Sequence, residues 1–253
     1  MLTWFNKLYE KSELNFSLVL IGVYCLLNSL ANPITEIIGI DSLAAFIFNL
    51  FLSIIIFLWI KKRGLCKYYG LCKPTLNANK FFWYIPLIIF MSSNLWLGVK
   101  FNLGLLGTSF YILNMLFVGF LEEIIFRGFL FKAIAKDNLK LGLVISSVTF
   151  GLGHILNLFN GSGMNLVSNI CQIIGAVFVG FLFVVIFLKG GSIIPCIITH
   201  SVNNAVSVFA NETAFSDKNQ ILVWAINIII VGLYALILCK NEPKISEFSK
   251  KPL

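Results

Sequence analysis

Six polar residues that could do chemistry lie inside apolar stretches of the chain. They are Glu122, Glu123, Arg127, His154, His200 and Asn204. The two histidines are the only ones in the sequence. Ionisable groups within a membrane are rare and costly, and they usually mark a functional site. These six residues are therefore the candidate site.

The acidic pair and the arginine form the densest charge cluster. Glu123 and Arg127 are four residues apart, so they share a helix face and can pair, whereas Glu122 is rotated by about 100°. Two acids and one base leave an excess negative charge in a medium of low dielectric constant. One carboxyl group therefore needs a proton, another cation or a hydrogen-bond donor. A carboxyl group in such surroundings can act as a general base near neutral pH. A purely structural ion pair would explain Glu123 but not Glu122.

Apolar runs long enough to cross a membrane position these residues. A spanning helix needs about 20 mostly apolar residues. Eight runs qualify: 16–34, 42–60, 81–99, 110–131, 141–158, 166–188, 192–210 and 220–239. With 58% hydrophobic and 12% charged residues, the chain has too little polar surface for a soluble domain or a nucleic-acid binder. The sequence predicts an all-α, polytopic membrane bundle of about eight helices, forming one domain over residues 1–253.

Basic residues indicate how this bundle is oriented. With the N-terminus inside, sixteen of the nineteen basic residues fall on the cytoplasmic side, whereas Lys100 and Lys218 fall outside and Arg127 lies within a span. This asymmetry predicts that both termini are cytoplasmic. The N-terminal run has no small-residue cleavage site, so we interpret it as an uncleaved first span. Lysine outnumbers arginine 17 to 2, which suggests a bacterial cell membrane.

The candidate groups lie at similar depths. Counted along their helices, Glu122 is about 15 Å from the cytoplasmic end, His200 at most about 16 Å and His154 about 21 Å. Asn204 follows His200 by one turn on the same face. Pro195 precedes His200 within the predicted span and should bend that helix. A shared depth is what a single site requires.

Two kinds of chemistry suit these side chains. Two histidines and one carboxylate can hold a catalytic zinc ion. Alternatively, glutamate and histidine activate water directly, while histidine and asparagine donate hydrogen bonds to an oxyanion. Both routes hydrolyse an amide. The absence of a His-Glu-x-x-His pattern favours the route without a cofactor, and zinc stays open as the other.

The ordered motifs resemble those of a known membrane protein family. Glu-Glu-x-x-x-Arg ends at Arg127, Phe-x-x-x-His joins Phe150 to His154, and His-x-x-x-Asn joins His200 to Asn204. Together they are similar to the motifs of the CPBP family, which groups CAAX prenyl endopeptidases with bacteriocin-processing and bacteriocin-immunity membrane proteins. The resemblance covers about residues 110–210, which would form the catalytic core.

The resemblance implies an intramembrane endopeptidase and a role for each motif. Glu122 and His154 would activate water, and His200 and Asn204 would stabilise the oxyanion. The ion pair of the first motif would orient the site. Members of the family have been described both as metalloproteases and as metal-independent glutamate proteases.

Other functions fit the same residues. A non-catalytic member of the fold could act in bacteriocin immunity or regulation by binding a peptide. An ion or proton-coupled transporter would use the glutamates and histidines as a path, but the polar groups cluster at one depth and no repeated half is visible. For the endopeptidase, the expected partners are the lipid bilayer and a peptide precursor or membrane-protein substrate, and no nucleic acid.

Overall fold

The computed structural model describes residues 2–159, 165–214 and 216–240, and most of these residues are helical. The α-helices are α1 (Leu2–Lys11), α2 (Glu13–Ile38), α3 (Leu43–Lys62), α4 (Ile85–Met91), α5 (Leu105–Glu123), α6 (Phe131–Ala135), α7 (Leu139–Gly153), α8 (Leu166–Gly190), α9 (Ile194–Val206) and α10 (Asp217–Cys239). A π-helix, Ile124–Leu130, joins α5 to α6, and a 3₁₀-helix, His154–Leu158, continues α7. The predicted all-α, polytopic membrane fold is confirmed.

Six helical stretches of the described chain are long and apolar enough to cross a membrane. They are Glu13–Ile38, Leu43–Lys62, Leu105–Ala135, Leu139–Leu158, Leu166–Gly190 and Asp217–Cys239, and they match six of the eight predicted spans. The fifth of them, α8, is central, with 56% of its most apolar window buried, against 22% in α10. The protein is therefore a multi-pass membrane protein whose peripheral helices expose apolar side chains.

The other two predicted spans, 81–99 and 192–210, are not single long helices but composite segments that contain short helices. In the first, Phe82–Tyr84 have φ between 50° and 57°, a left-handed conformation that interrupts the helix before α4. In the second, Pro195 lies in the first turn of α9, where a missing N–H breaks no helical hydrogen bond. This proline therefore begins the helix, whereas the sequence predicted that it would bend one.

Both irregular segments nevertheless run from one end of the bundle to the other. At one end, the backbone N–H of Thr75 donates to the carbonyl oxygen of Gly190 at 2.8 Å. At the opposite end, the backbone N–H of Lys100 donates to the carbonyl oxygen of Phe209 at 2.9 Å. The length of α9, about 20 Å, separates these two ends. Within the described residues, the chain therefore runs through the bundle as six long helices and two composite segments.

With an even number of passes, both termini lie on the same side of the membrane, and this orientation can be tested. Reporter domains fused at Met1 and at Leu253 should both report a cytoplasmic location, because basic residues are retained on that side of the membrane. Three of the lysines behind this prediction, Lys244, Lys250 and Lys251, lie outside the described residues. An extracytoplasmic signal from either fusion would contradict the orientation.

Two glycines allow the helices that carry the candidate residues to approach closely. A Cβ atom on Gly119 in α5 would lie 2.7 Å from the backbone nitrogen of Ser201 in α9. A Cβ atom on Gly180 in α8 would lie 3.0 Å from the Cα atom of Ser147 in α7 and 3.3 Å from Nη2 of Arg127. Small residues at helix crossings permit such backbone proximity in membranes. Four helices therefore converge around the arginine and its neighbours.

Candidate active site

Glu123 is the centre of a buried charge cluster. Its Oε1 atom accepts a hydrogen bond from Nη1 of Arg127 at 3.1 Å and lies 2.8 Å from Nδ1 of His200. The side chains of Glu123 and Arg127 are fully buried. The four-residue spacing thus forms an ion pair in the structure, and a histidine from α9 completes it. Because an ionised carboxylate only accepts hydrogen bonds, the Nδ1 atom that faces it carries the proton.

Arg127 is held by aromatic rings as well as by the carboxylate. It lies in the π-helix, a rare conformation that is frequently found at functional sites. Its guanidinium carbon is 3.9 Å from the ring centre of Phe150 and 5.5 Å from that of Phe183. Attraction between a cation and a ring face strengthens when both are desolvated. These rings therefore help to retain the charge of Arg127, whose Nε and Nη2 atoms have no hydrogen-bond partner among the described residues.

Glu122 presents one bonded and one free oxygen. Its Oε1 atom accepts a hydrogen bond of 2.6 Å from the hydroxyl of Tyr24 in α2. Its Oε2 atom lies 3.4 Å from Nε2 of His200 and makes no hydrogen bond within the described part of the chain. Buried polar atoms without a partner are exceptional and often belong to catalytic groups or to sites that hold water. The free Oε2 atom of Glu122 is therefore suited to accept a proton from a water molecule.

His200 lies between the two carboxylates that the sequence places next to each other. Its two ring nitrogens face Glu123 and Glu122 at 2.8 Å and 3.4 Å. Tyr24 adds a neutral donor to Glu122. The cluster thus contains a histidine and a hydroxyl donor next to the second carboxylate, which the sequence left without a partner.

His154 packs against the same aromatic ring as His200, that of Phe150. The ring centres of His154 and Phe150 are 5.3 Å apart, and those of His200 and Phe150 are 5.6 Å apart, both in edge-to-face geometry. Nδ2 of Asn169 donates to the carbonyl oxygen of His154 at 2.7 Å, where α7 gives way to the 3₁₀-helix. His154 also interacts electrostatically with Glu122. It is a close neighbour of Glu122, whose hydrogen-bonding or ion-pairing partners are Tyr24 and His200.

Asn204 occupies the position one turn after His200 on α9 and is half-buried. Its backbone oxygen accepts a hydrogen bond of 2.7 Å from the hydroxyl of Ser207. Its side chain makes no hydrogen bond to the other five candidate residues. The structure therefore brings Glu122, Glu123, Arg127, His154 and His200 into one cluster and leaves the Asn204 amide beside it.

Sequence reasoning missed Tyr24, which lies 98 positions before its partner Glu122. Apolar patterning identifies α2 as a span but gives no sign of which helix it faces. One local signal was present, because Tyr24 and Asn28 place polar groups four residues apart in an apolar run, on one helix face. Asn169, whose side chain binds the backbone of His154, is likewise a polar residue within an apolar run, that of α8.

The side chains do not form a metal site as they are arranged. Within the described ranges, no group of three histidine, cysteine, aspartate or glutamate residues is placed to hold an ion. Both ring nitrogens of His200 already face carboxylates. A catalytic zinc ion needs three such protein ligands around an open position. Among the described residues, the arrangement offers no such set of three ligands around an open position.

Comparison with known proteins finds a family match over nearly the same segment as the one that carries the three motifs. Residues 104–206 match the sequence model of the family described as type II CAAX prenyl endopeptidase Rce1-like. This match confirms the resemblance carried by the three motifs, all of which lie within it. Neither a curated protein nor a solved structure matches the chain.

Proposed function

We propose that this chain, whose residues 104–206 match the Rce1-like CAAX prenyl endopeptidase family, is an endopeptidase that cleaves its substrate within the membrane. At the level of the family, the match indicates a membrane protease. The observation that carries the proposal for this chain is the Oε2 atom of Glu122, which makes no hydrogen bond among the described residues and lies 3.4 Å from Nε2 of His200 in a largely buried cluster. That arrangement fits the activation of a water molecule.

The first chemical step uses Glu122 as a general base. A water molecule near Oε2 of Glu122 gives up one proton to that oxygen as its own oxygen attacks the carbonyl carbon of the scissile peptide bond. The carbonyl oxygen becomes an oxyanion. Nε2–H of His200 and the amide of Asn204 are the donors that would stabilise it, since preorganised donors strengthen as charge develops. His154 helps to hold the water.

The second step returns the proton. The tetrahedral intermediate collapses, the carbon–nitrogen bond breaks, and the protonated Glu122 gives its proton to the leaving amine. Glu123 keeps His200 oriented throughout, as a buried carboxylate does for the histidine of a catalytic triad. The enzyme is regenerated with the carboxylate ionised, and one water molecule has been consumed.

The substrate that suits this site is a peptide bond close to the membrane. We assign a peptide precursor or a membrane-associated protein in a bacterial cell membrane, because the lysine-rich composition suggests a bacterium. The site lies within a bundle that exposes many large apolar side chains, which favours substrates already partitioned into lipid. A prenylated CAAX terminus is the substrate class of the matched family and serves as a probe.

Mass spectrometry of new protein termini tests the proposal directly. Membranes from cells that produce the wild-type chain are compared with membranes from cells that produce the Glu122→Gln variant at equal abundance. Termini that depend on Glu122 would support cleavage and would identify the substrate. Identical sets of termini, together with no cleavage of a prenylated CAAX peptide by the purified wild-type protein, would overturn the proposal.

Removal of metal should leave this activity intact. With water activated by Glu122, incubation with EDTA or phenanthroline is expected to change turnover by less than about twofold, because no step needs a Lewis acid. The measurement is the rate of peptide cleavage before and after chelation and dialysis. Activity that disappears with chelator and returns with zinc would instead make the histidines and one glutamate metal ligands.

A further inference from the structure

We propose that Tyr24 is a positioning residue for Glu122, a role that rests on the proposed function of Glu122 as the base. The hydroxyl of Tyr24 donates to Oε1 of Glu122 at 2.6 Å, and the tyrosine side chain is buried. A carboxylate whose one oxygen is fixed in this way offers only the other oxygen to a water molecule. Tyr24 would therefore decide which oxygen takes the proton.

A chain of amides fixes the helix that carries Tyr24. Nδ2 of Asn28 donates to the carbonyl oxygen of Tyr24 at 2.9 Å and to Oδ1 of Asn49 in α3 at 3.2 Å. Nδ2 of Asn49 donates in turn to Oδ1 of Asn114 in α5 at 2.8 Å. Asn114 lies about two turns before Glu122 on the same helix.

The contacts thus close a loop between helices. It runs from Asn114 through Asn49 and Asn28 to Tyr24, and returns to α5 at Glu122. Interhelical hydrogen bonds between side chains stabilise helix packing in membranes. Two attachment points on α5 fix both the position and the rotation of α2, so the tyrosine hydroxyl is held against Oε1. This geometry is what a positioning residue requires.

The tyrosine lies outside the segment that matches the family, which begins at residue 104. Tyr24 is the hydrogen-bond donor to Glu122 among the described residues. The charged and titratable groups in the cluster around Glu122 come from several elements. These groups are Tyr24 and Cys25 of α2, Glu123 at the end of α5, Arg127 of the π-helix, His154 after α7 and His200 of α9.

Replacement of the hydroxyl should change how Glu122 binds its proton. Tyr24→Phe keeps the ring but removes the hydrogen bond to the charged carboxylate. The acidic limb of the pH profile of kcat/KM should then move, because this limb reports the protonation of the base. We expect kcat to fall about tenfold and KM to stay within about twofold, because Tyr24 touches the base and not the substrate.

Two readouts on the full chain in lipid nanodiscs separate positioning from simple damage to the fold. Infrared difference spectra between each protein and the same protein with Glu122→Gln isolate the carboxyl band of Glu122. This band is followed through a pH titration, and the measurement does not require turnover. Cleavage of an internally quenched peptide with a prenylated CAAX end gives kcat and KM. The matched control is Tyr234→Phe, which also removes one buried tyrosine hydroxyl, the donor to the carbonyl oxygen of Phe81 at 2.8 Å.

The outcomes distinguish this inference from the proposed function. A titration of Glu122 that moves in Tyr24→Phe but not in Tyr234→Phe supports the positioning role, whether or not the peptide is cleaved. An unchanged titration in Tyr24→Phe overturns that role, even if Glu122→Gln is inactive. Equal shifts in both variants would also overturn it, since they would reflect a general loosening of the bundle.

Discussion

Replacement of Glu122 by glutamine should abolish turnover while leaving the protein abundant. The amide keeps the shape of the side chain, and its oxygen can still accept the hydrogen bond from Tyr24. It cannot take a proton from water, and loss of a general base commonly costs about 10²–10⁴-fold in rate. The rate of peptide cleavage and the amount of folded protein in the membrane are measured together.

A matched control shows that the loss comes from this carboxylate. Glu36 in α2 is exposed, so Glu36→Gln makes the same chemical change away from the cluster and should leave turnover within about twofold. Near-normal turnover in Glu122→Gln would reject its assignment as the base. A cellular phenotype that survives in an inactive Glu122→Gln protein would favour a non-catalytic role in immunity or regulation.

The sequence predicted the spans most reliably where a run of apolar residues is long and uninterrupted. It failed at 81–99, where Phe82–Tyr84 take left-handed backbone conformations that apolar patterning does not reveal. Apolar patterning also did not reveal that Pro195 lies in the first turn of α9. A proline is compatible with the first turn of a helix or with a kink, and only the neighbouring backbone decides which.

The residues of the candidate site could be identified from the sequence because charged groups and histidines rarely lie inside apolar runs. Charges and histidines inside apolar runs cost free energy, so their positions alone mark a functional cluster. The ion pair of Glu123 with Arg127 follows from helix geometry. The contacts of Glu122 with Tyr24 and His200 do not, because they depend on which helices pack together and at what rotation. The expected roles of His154 and Asn204 stay predictions.

The largest effect on folding should come from Glu123→Gln. One oxygen of Glu123 serves both Arg127 and His200, and the side chains of Glu123 and Arg127 are fully buried. Glutamine would leave the guanidinium without a counter-ion. Breaking a buried pair by removal of one partner costs about 3–5 kcal/mol, which is a large part of the free energy of unfolding of a typical domain. We expect a scarce protein that unfolds at a lower temperature in detergent than Glu122→Gln does.

A double variant separates this loss of stability from the loss of function. In Glu123→Gln with Arg127→Met, no charge stays buried without a partner, and replacement of both ions by neutral groups of similar volume is often tolerated. Methionine can also pack against the ring of Phe150. Abundance and the unfolding temperature should recover towards the wild-type values. Turnover should not recover, because the Nδ1 atom of His200 still lacks the carboxylate that orients the ring. A stable Glu123→Gln protein would show that the pair does not hold the bundle together. An active double variant would show that His200 does not depend on Glu123.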